Sequence, residues 1–301
     1  MHVAIAAVER GFRALAQGDA DLPDPMVVEL RDQAAEIHVK GARLKGARYV
    51  VLKVATGFYH NPARGLPSGD GVFLLLDAET GAPELLLEEH GYLTDLRTAA
   101  AIGLTLQYLA PADAREALLV GAGAVARLAA RAIATVLPLE RLTIWNRTPA
   151  RAEALARELA SIVPTRVAPA LEPEVRRHRV IVTATASTAP LIAAAWVAPG
   201  THITSAGTGS PEKVELEPVL LQRADKLVAD RRFQTERYGN LRHALAAGLT
   251  PAPRVYAELG DLAAGRLPGR ETPGEITIAD LTGVGVQDAA IAEVVVEVLE
   301  R

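Results

Sequence analysis

Residues 117–148, ALLVGAGAVARLAARAIATVLPLERLTIWNRT, constrain the fold more than any other stretch of this chain. Ala117 to Val120 form a short apolar run, and Gly121-Ala122-Gly123-Ala124-Val125-Ala126 follow it in the pattern G-x-G-x-x-A. A helical pattern from about Ala124 to Val136 and a second apolar run, Leu142 to Trp145, complete the spacing of a βαβ crossover. In such a unit the first glycine makes the tight turn, the second lets a pyrophosphate approach the backbone, and a small residue such as Ala126 permits close packing of helix on strand. The helix N-terminus offers unpaired N–H groups and the positive end of its dipole to that anion. Glycine turns also serve as plain strand–helix connections. The flanking strand, helix and strand are what point to a dinucleotide here.

The end of the second strand bears on which dinucleotide. An NAD site usually places Asp or Glu there to accept hydrogen bonds from the ribose hydroxyls. This chain has Asn146-Arg147-Thr148, with Arg151 a turn later. A carboxylate repels a 2′-phosphate, whereas a guanidinium binds one bidentately. The expected cofactor is therefore NADP(H), with NAD(H) as the alternative. Thr148 fits equally an N-cap before Pro149, and Arg147 fits equally a solvated surface.

With 301 residues and 50% hydrophobic content, the chain is long enough for two domains. A net charge of −4 gives no basic field for nucleic acid, and the absence of cysteine excludes disulfide frameworks, thiolate catalysis and Cys-ligated zinc. No apolar stretch reaches the roughly 18 residues of a membrane span, and the N-terminus lacks the pattern of a signal peptide. It reads as an amphipathic helix with Ala4, Ile5, Val8, Phe12 and Leu15 on one face. A cytoplasmic protein without nucleic-acid or membrane partners is expected.

Strand-like runs follow at Glu36–Leu44, Tyr49–Ala55, Gly71–Asp77 and Pro83–Leu87, the last two joined by a hairpin turn at Gly81, and then a helix from about Leu96 to Leu109. From about Ala112 strands and helices alternate, with later strands at Val180–Ala184, His202–Ala206, Lys226–Ala229 and Glu275–Ala279, and a final helix from about Asp288 to Leu299. This pattern predicts an α/β protein: a Rossmann-type doubly wound sheet over 112–280, and a mixed α+β domain built from 1–111 and 281–301.

Among five lysines (40, 45, 53, 213 and 226), Lys53 is the one the sequence places inside an apolar strand. A buried ammonium is costly unless paired, so a ligand anion or an internal carboxylate is expected beside it; a lysine snorkelling from a strand edge is the alternative. Asp230 ends an apolar strand at the carboxyl edge of the sheet, where doubly wound folds bind ligands, and reads equally as a turn or capping residue. Seven histidines show no metal-ligand spacing; His38 and His60 are candidate secondary acids or bases. There is no G-x-S-x-G elbow and no Walker A loop.

Several segments in order, VLKVATGFYHNPARGLPSGDG around Lys53, GYLTDLRTAAA around Arg97, VGAGAVA, TATASTAPLI, TSAGTGSPEKVELEP, LVAD and ITIADLTGVGVQDAAIA, together resemble the ornithine cyclodeaminase/μ-crystallin family over nearly the whole chain. The resemblance implies a homodimer paired through the N-terminal sheet, an active site in the cleft between domains, and hydride exchange between nicotinamide and the α-carbon of a small imino or amino acid. It assigns Lys53 and Arg97 to the substrate carboxylate, Lys53 also to proton exchange at the α-nitrogen, and Asp230 to catalysis. Thr98 is placed at the cofactor phosphates, and Thr185, Ser187, Ala206, Gly207 and Thr208 at the nicotinamide half. Thr94 and Asp95 flank Arg97. Small residues at these strand ends also suit tight turns.

Two departures stand out. Many members carry a further carboxylate-binding arginine upstream of the lysine; the corresponding position here is near Val27, leaving Arg31, Lys40 or Arg43 to replace it. Val125 stands where a glutamine is frequent. The leading expectation is an NADP(H)-dependent reductase of ketimines or cyclic imino acids such as Δ1-pyrroline-2-carboxylate, or the equivalent amino-acid dehydrogenase. The alternatives are an ornithine cyclodeaminase using tightly bound NAD, disfavoured by Asn146-Arg147-Thr148, and a cofactor-holding binding protein, disfavoured by Lys53, Arg97 and Asp230 together.

Overall fold

The structure, a computed structural model, describes residues 1–300. Internal contacts divide the chain into two compact units, His2–Arg97 with Val284–Arg301, and Thr98–Gly283 with Met1.

The first unit opens on α1 (His2–Gln17), which buries Ala4, Ile5, Val8 and Phe12 as their spacing predicts, with Ala7 and Gly11 on the same face. An antiparallel sheet follows: β1 (Ala20–Asp21), β2 (Met26–Leu30), β3 (Ala35–Leu44), β4 (Tyr49–Phe58), β5 (Gly69–Asp77) and β6 (Pro83–Glu88). Its order is β1-β3-β4-β5-β6, with β2 also paired to β3. The β5–β6 hairpin turns at Gly81 (φ +74°), where Asp77 Oδ1 accepts the N–H groups of Glu79 and Thr80 and the Thr80 hydroxyl. The next helix, α2 (Tyr92–Leu109), starts four residues before the apolar pattern suggests. Glu89 supplies its cap, accepting the N–H of Leu93 at 2.5 Å and of Thr94 at 3.4 Å. The division between the two units falls inside α2, between Arg97 and Thr98.

The second unit is a fully parallel sheet wrapped by short helices. Its elements are β7 (Glu116–Val120), α3 (Ala124–Val136), β8 (Arg141–Trp145), α4 (Pro149–Leu159), β9 (Thr165–Val167), α5 (Glu172–Arg177), β10 (Val180–Thr183), β11 (His202–Ser205), α6 (Pro218–Gln222), β12 (Lys226–Ala229), α7 (Arg232–Thr235), α8 (Asn240–Ala246), β13 (Val255–Glu258), α9 (Leu259–Ala263) and β14 (Thr277–Asp280). The order β13-β12-β14-β11-β10-β7-β8-β9 reverses direction between β7 and β10. This is a Rossmann-type sheet, and such a reversal is where ligands bind, at the carboxyl ends of the strands. Leu118, Ile181, Ile203, Leu227 and Ile278 from five neighbouring strands pack against Val175, Leu220 and Leu241 from the helices. Two of its strands, β9 and β13, were not expected from the sequence. They are the outer strands, three and four residues long and largely half-buried, so neither carries a full apolar run.

The last helix, α10 (Gly285–Leu299), belongs to the first unit and starts three residues before its expected onset at Asp288. Gly11 on α1 lets it close in: a Cβ there would lie 2.6 Å from the Val286 carbonyl oxygen. Gly285 is pressed in the same way against the backbone of Gly41 on β3. The approach places the first turn of α10 over β3 and β4. No helix among the described residues is long and apolar enough to cross a membrane.

Candidate active site

Lys53 lies in the middle of β4 with 1% of its surface exposed. Its ammonium is 3.0 Å from Oδ1 of Asp288, and Arg97 Nε is 3.0 Å from the same oxygen. Asp288 is fully buried in the first turn of α10 and is the internal carboxylate that the buried lysine requires. Gln287 adds a second tie, its Oε1 3.4 Å from Arg97 Nη1 and its Nε2 donating to the Arg97 carbonyl at 3.3 Å. Lys40 joins the group from β3: it is the register partner of Lys53, so both side chains share one face, and it is 7% exposed.

Three buried cations thus surround one carboxylate. Burial pushes the Lys53 ammonium down to about 8, aided by the neighbouring Arg97 charge and opposed by Asp288. Burial works to raise the Asp288 carboxyl, but Lys53, Arg97 and Lys40 together hold it below its ordinary value. Further out, Asp95 is raised to about 6, chiefly by burial, and Glu89 is engaged in capping α2.

Sequence reasoning missed Asp288, and offered Lys40 only as one of three candidates for the upstream basic role. Asp288 is the lone acid in the run GVQDAAIA, 235 residues from Lys53, and its isolation among apolar residues was the available signal. The burial of Lys40 was not evident because AEIHVKGARL mixes polar and apolar residues, so Lys53 is not the only lysine buried in a strand. Of the other residues considered for the upstream basic role, Arg31 is exposed and paired with Glu29 at 2.9 Å, and Arg43 sits 3.8 Å from Asp21. Val27 faces His38 across β2 and β3, and His38 Nε2 lies 3.5 Å from Glu36. His60 is exposed.

In the second unit, the glycine turn has the geometry that a pyrophosphate needs. Gly121 adopts φ +123°, and a Cβ there would lie 2.5 Å from the Ala184 carbonyl, so β7 and β10 meet backbone to backbone at the reversal point. A Cβ on Gly123 would meet nothing within 4 Å, leaving an open cradle before α3, and no side chain caps that helix. Gly123 and Ala124 are exposed, with Ala122 and Val125 half-buried beside them. These residues fit a dinucleotide: a bare backbone, free helical N–H groups and room for phosphate. Thr98 on α2 is half-buried.

At the end of β8, Asn146 Nδ2 donates to the Thr148 carbonyl at 2.9 Å. Arg147 and Arg151 are exposed, and neither guanidinium has an ion pair or hydrogen bond among the described residues. Thr148 is the N-cap residue of α4 with Pro149 in the first turn, as expected, although its hydroxyl makes no capping bond.

At the ends of β10 and β11, Thr185, Ser187, Ala206 and Gly207 are half-buried. Thr185 donates from both N–H and hydroxyl to Oε1 of Glu215, each at 2.7 Å, and Gly207 N–H donates to Oε2 at 3.0 Å. Ser187 turns back to the Ala189 carbonyl at 2.6 Å, and Thr208 donates to Asp280 at 3.3 Å. Burial raises the Asp280 carboxyl to about 6. Asp230 is buried at the end of β12, where its carboxylate accepts from the N–H of Arg231, Thr282 and Gly283 at 2.7–2.8 Å and from the Thr282 hydroxyl at 3.0 Å. No cluster of His, Asp or Glu suited to a metal occurs among the described residues.

A sequence model of the ornithine cyclodeaminase/mu-crystallin family matches residues 1–301. The chain belongs to this family. It is 40% identical, over 96% of its length and 88% of the relative's, to an uncharacterized cyclodeaminase of Sinorhizobium fredii. Identity to the iminosuccinate reductase of Paracoccus denitrificans is 35%, over 99% of this chain and 92% of the relative. Among solved structures, an archaeal alanine dehydrogenase dimer with bound NAD superposes with a TM-score of 0.92 at 33% identity, covering 99% of this chain and 91% of that one. The Δ1-pyrroline-2-carboxylate reductase of Thermococcus litoralis in complex with NADH and L-proline gives 0.90 at 28% identity, covering 96% and 90%. These relatives are nicotinamide-dependent reductases and dehydrogenases of imino or amino acids, alongside the cyclodeaminase.

Proposed function

We propose that this chain reduces ketimines or cyclic imino acids of the Δ1-pyrroline-2-carboxylate type with NADPH, or runs the equivalent amino-acid dehydrogenase reaction in reverse. Family membership makes it an NAD(P)-dependent oxidoreductase of imino or amino acids. The observation that carries the finer reading is the cluster in the first unit, where Lys53 and Arg97 both contact Asp288 and Lys40 shares the same face of the sheet. Buried cations gathered in one place suit the carboxylate of an α-imino acid.

Arg97 is a planar fork matched to a carboxylate, and Lys40 takes the place of the upstream arginine. Lys53, titrating near 8, holds a proton at neutral pH and releases it readily, which is what protonating the nitrogen of an imine requires. Asp288 keeps that ammonium charged and oriented. Asp230, the other catalytic candidate, already accepts four hydrogen bonds, so we assign the nitrogen proton to Lys53 and to Asp230 the placement of the Thr282–Gly283 loop. When bound, the nicotinamide supplies the hydride for the α-carbon. Gly121, Ala122, Gly123, Ala124 and Val125 would hold its pyrophosphate with Thr98, and Asn146, Arg147, Thr148 and Arg151 the 2′-phosphate side. Thr185, Ser187, Ala206 and Gly207 would hold its other half.

The bare guanidiniums of Arg147 and Arg151 favour NADP(H); NAD(H) is the alternative, since the neighbouring structures hold NAD or NADH. Ornithine cyclodeaminase activity is the second reading, favoured by the 40% identity to an uncharacterized cyclodeaminase. A homodimer paired through the N-terminal sheet and a cytoplasmic location complete the proposal.

The test is removal of the anion. Δ1-Pyrroline, which lacks the carboxylate, is expected to show kcat/KM lower by about a thousandfold than Δ1-pyrroline-2-carboxylate, the scale of losing one partner of a buried charge-assisted contact. Lys40→Ala is expected to raise KM for the carboxylate substrate and leave the analogue's kcat/KM unchanged. Equal turnover of both compounds contradicts the assignment.

A further inference from the structure

We propose that Glu215 is a positioning residue that fixes the ends of β10 and β11 where the nicotinamide half of the cofactor is placed. The inference rests on the dinucleotide reading above. Five donors from four residues converge on this one carboxylate: the Thr183 hydroxyl, the Thr185 N–H and hydroxyl, the Ser205 hydroxyl and the Gly207 N–H, at 2.7–3.0 Å. Thr183 and Ser205 are the last residues of β10 and β11, and Thr185 and Gly207 lie two residues beyond. Glu215 is 0% exposed, and it is itself held by Asn240, whose Oδ1 accepts from the N–H of Glu215 and Leu216 at 2.9 Å each.

The two strand ends are consequently clamped to one anion. Gly207 shows how tightly: a Cβ there would run into the Thr185 carbonyl and lie 2.6 Å from Glu215 Oε1. The clamp adjoins the reversal point, since Ala184, between Thr183 and Thr185, is the residue whose carbonyl meets Gly121. A buried carboxylate is a costly way to add stability, as an apolar residue of similar size serves the core better. Its five directional bonds instead fix the register of two loops, and reactions that depend on alignment lose about a hundredfold for misplacement by roughly 1 Å.

The discriminating variant is Glu215→Gln, which keeps the shape but turns one acceptor into an NH2 group facing donors. Binding of NADPH is compared with binding of 2′-phospho-ADP-ribose, the same molecule without nicotinamide, by calorimetry and without turnover. The expected result is a loss of about tenfold or more for NADPH and less than about twofold for the fragment, with kcat for the imine falling by about thirtyfold or more. Ser205→Ala, which removes one of the five donors, from a residue 0% exposed, is expected to give a smaller loss in the same pattern should Glu215→Gln fail to fold. Equal losses for NADPH and the fragment, or no loss for either, overturn the proposal. Should the wild type bind NADPH yet reduce no imine, the functional reading fails while a selective loss of NADPH binding in Glu215→Gln still upholds this one.

Discussion

At Lys53, burial and two charged neighbours decide when the proton is present. Burial and Arg97 lower its proton affinity to about 8, and Asp288 limits the fall. A reductase that needs the protonated ammonium is therefore expected to lose kcat/KM about tenfold per pH unit above about pH 8. In Asp288→Asn the attraction that favours the charged form is removed, so the falling limb moves to lower pH; a limb that stays in place contradicts the electrostatic account. Lys53→Ala is expected to lower kcat by about a hundredfold or more, as loss of a positioned acid does, and Asp230→Ala by a comparable factor through the loop it holds. For the cofactor, Arg147→Ala is expected to weaken NADPH about tenfold in a binding titration and leave NADH nearly untouched, whereas equal losses would show that the 2′-phosphate is not read there. Lys53 and its need for a carboxylate were legible in the sequence because a lysine in VLKVA has no polar neighbour to excuse it. Asp288 was not, and Lys40 was one of three candidates without a means to choose it, since only the tertiary packing of α10 on the sheet and the β3–β4 register bring them to Lys53.

Among elements, the turn between β7 and α3 separates folding from binding at two glycines. Gly121→Ala forces a Cβ into the Ala184 carbonyl at φ +123°, and a destabilisation of about 2 kcal/mol or more is expected in denaturant unfolding. Gly123→Ala meets open space at φ −87°, so its stability should stay near wild type while NADPH affinity falls. Stability loss at Gly123 equal to that at Gly121 contradicts this division. Central strands such as β7, β10 and β12 were legible because both faces are buried and the residues are continuously apolar. The edge strands β2, β9 and β13 were not, because a short strand with one partner needs no such run. The starts of α2 and α10 were missed for a related reason: Glu89 caps the first from three residues upstream, and small Gly285 opens the second against Gly41.

For the whole molecule, the alternation of strands and helices after Ala112 was sufficient to predict a doubly wound sheet, and the order around β7 and β10 follows it. The division between the two compact units falls within α2, which runs through it without a break in sequence character. We expect sedimentation equilibrium to give a dimer whose interface lies on residues before about 110; a monomer at all concentrations contradicts the paired-sheet proposal. The central claim, net reduction of an imino acid, is tested most directly by following absorbance of the reduced nicotinamide with purified protein. Addition of Δ1-pyrroline-2-carboxylate is predicted to consume NADPH continuously and in equal amount to the imino acid reduced. Release of ammonia from ornithine with catalytic NAD⁺, and no net change in reduced cofactor, would contradict it.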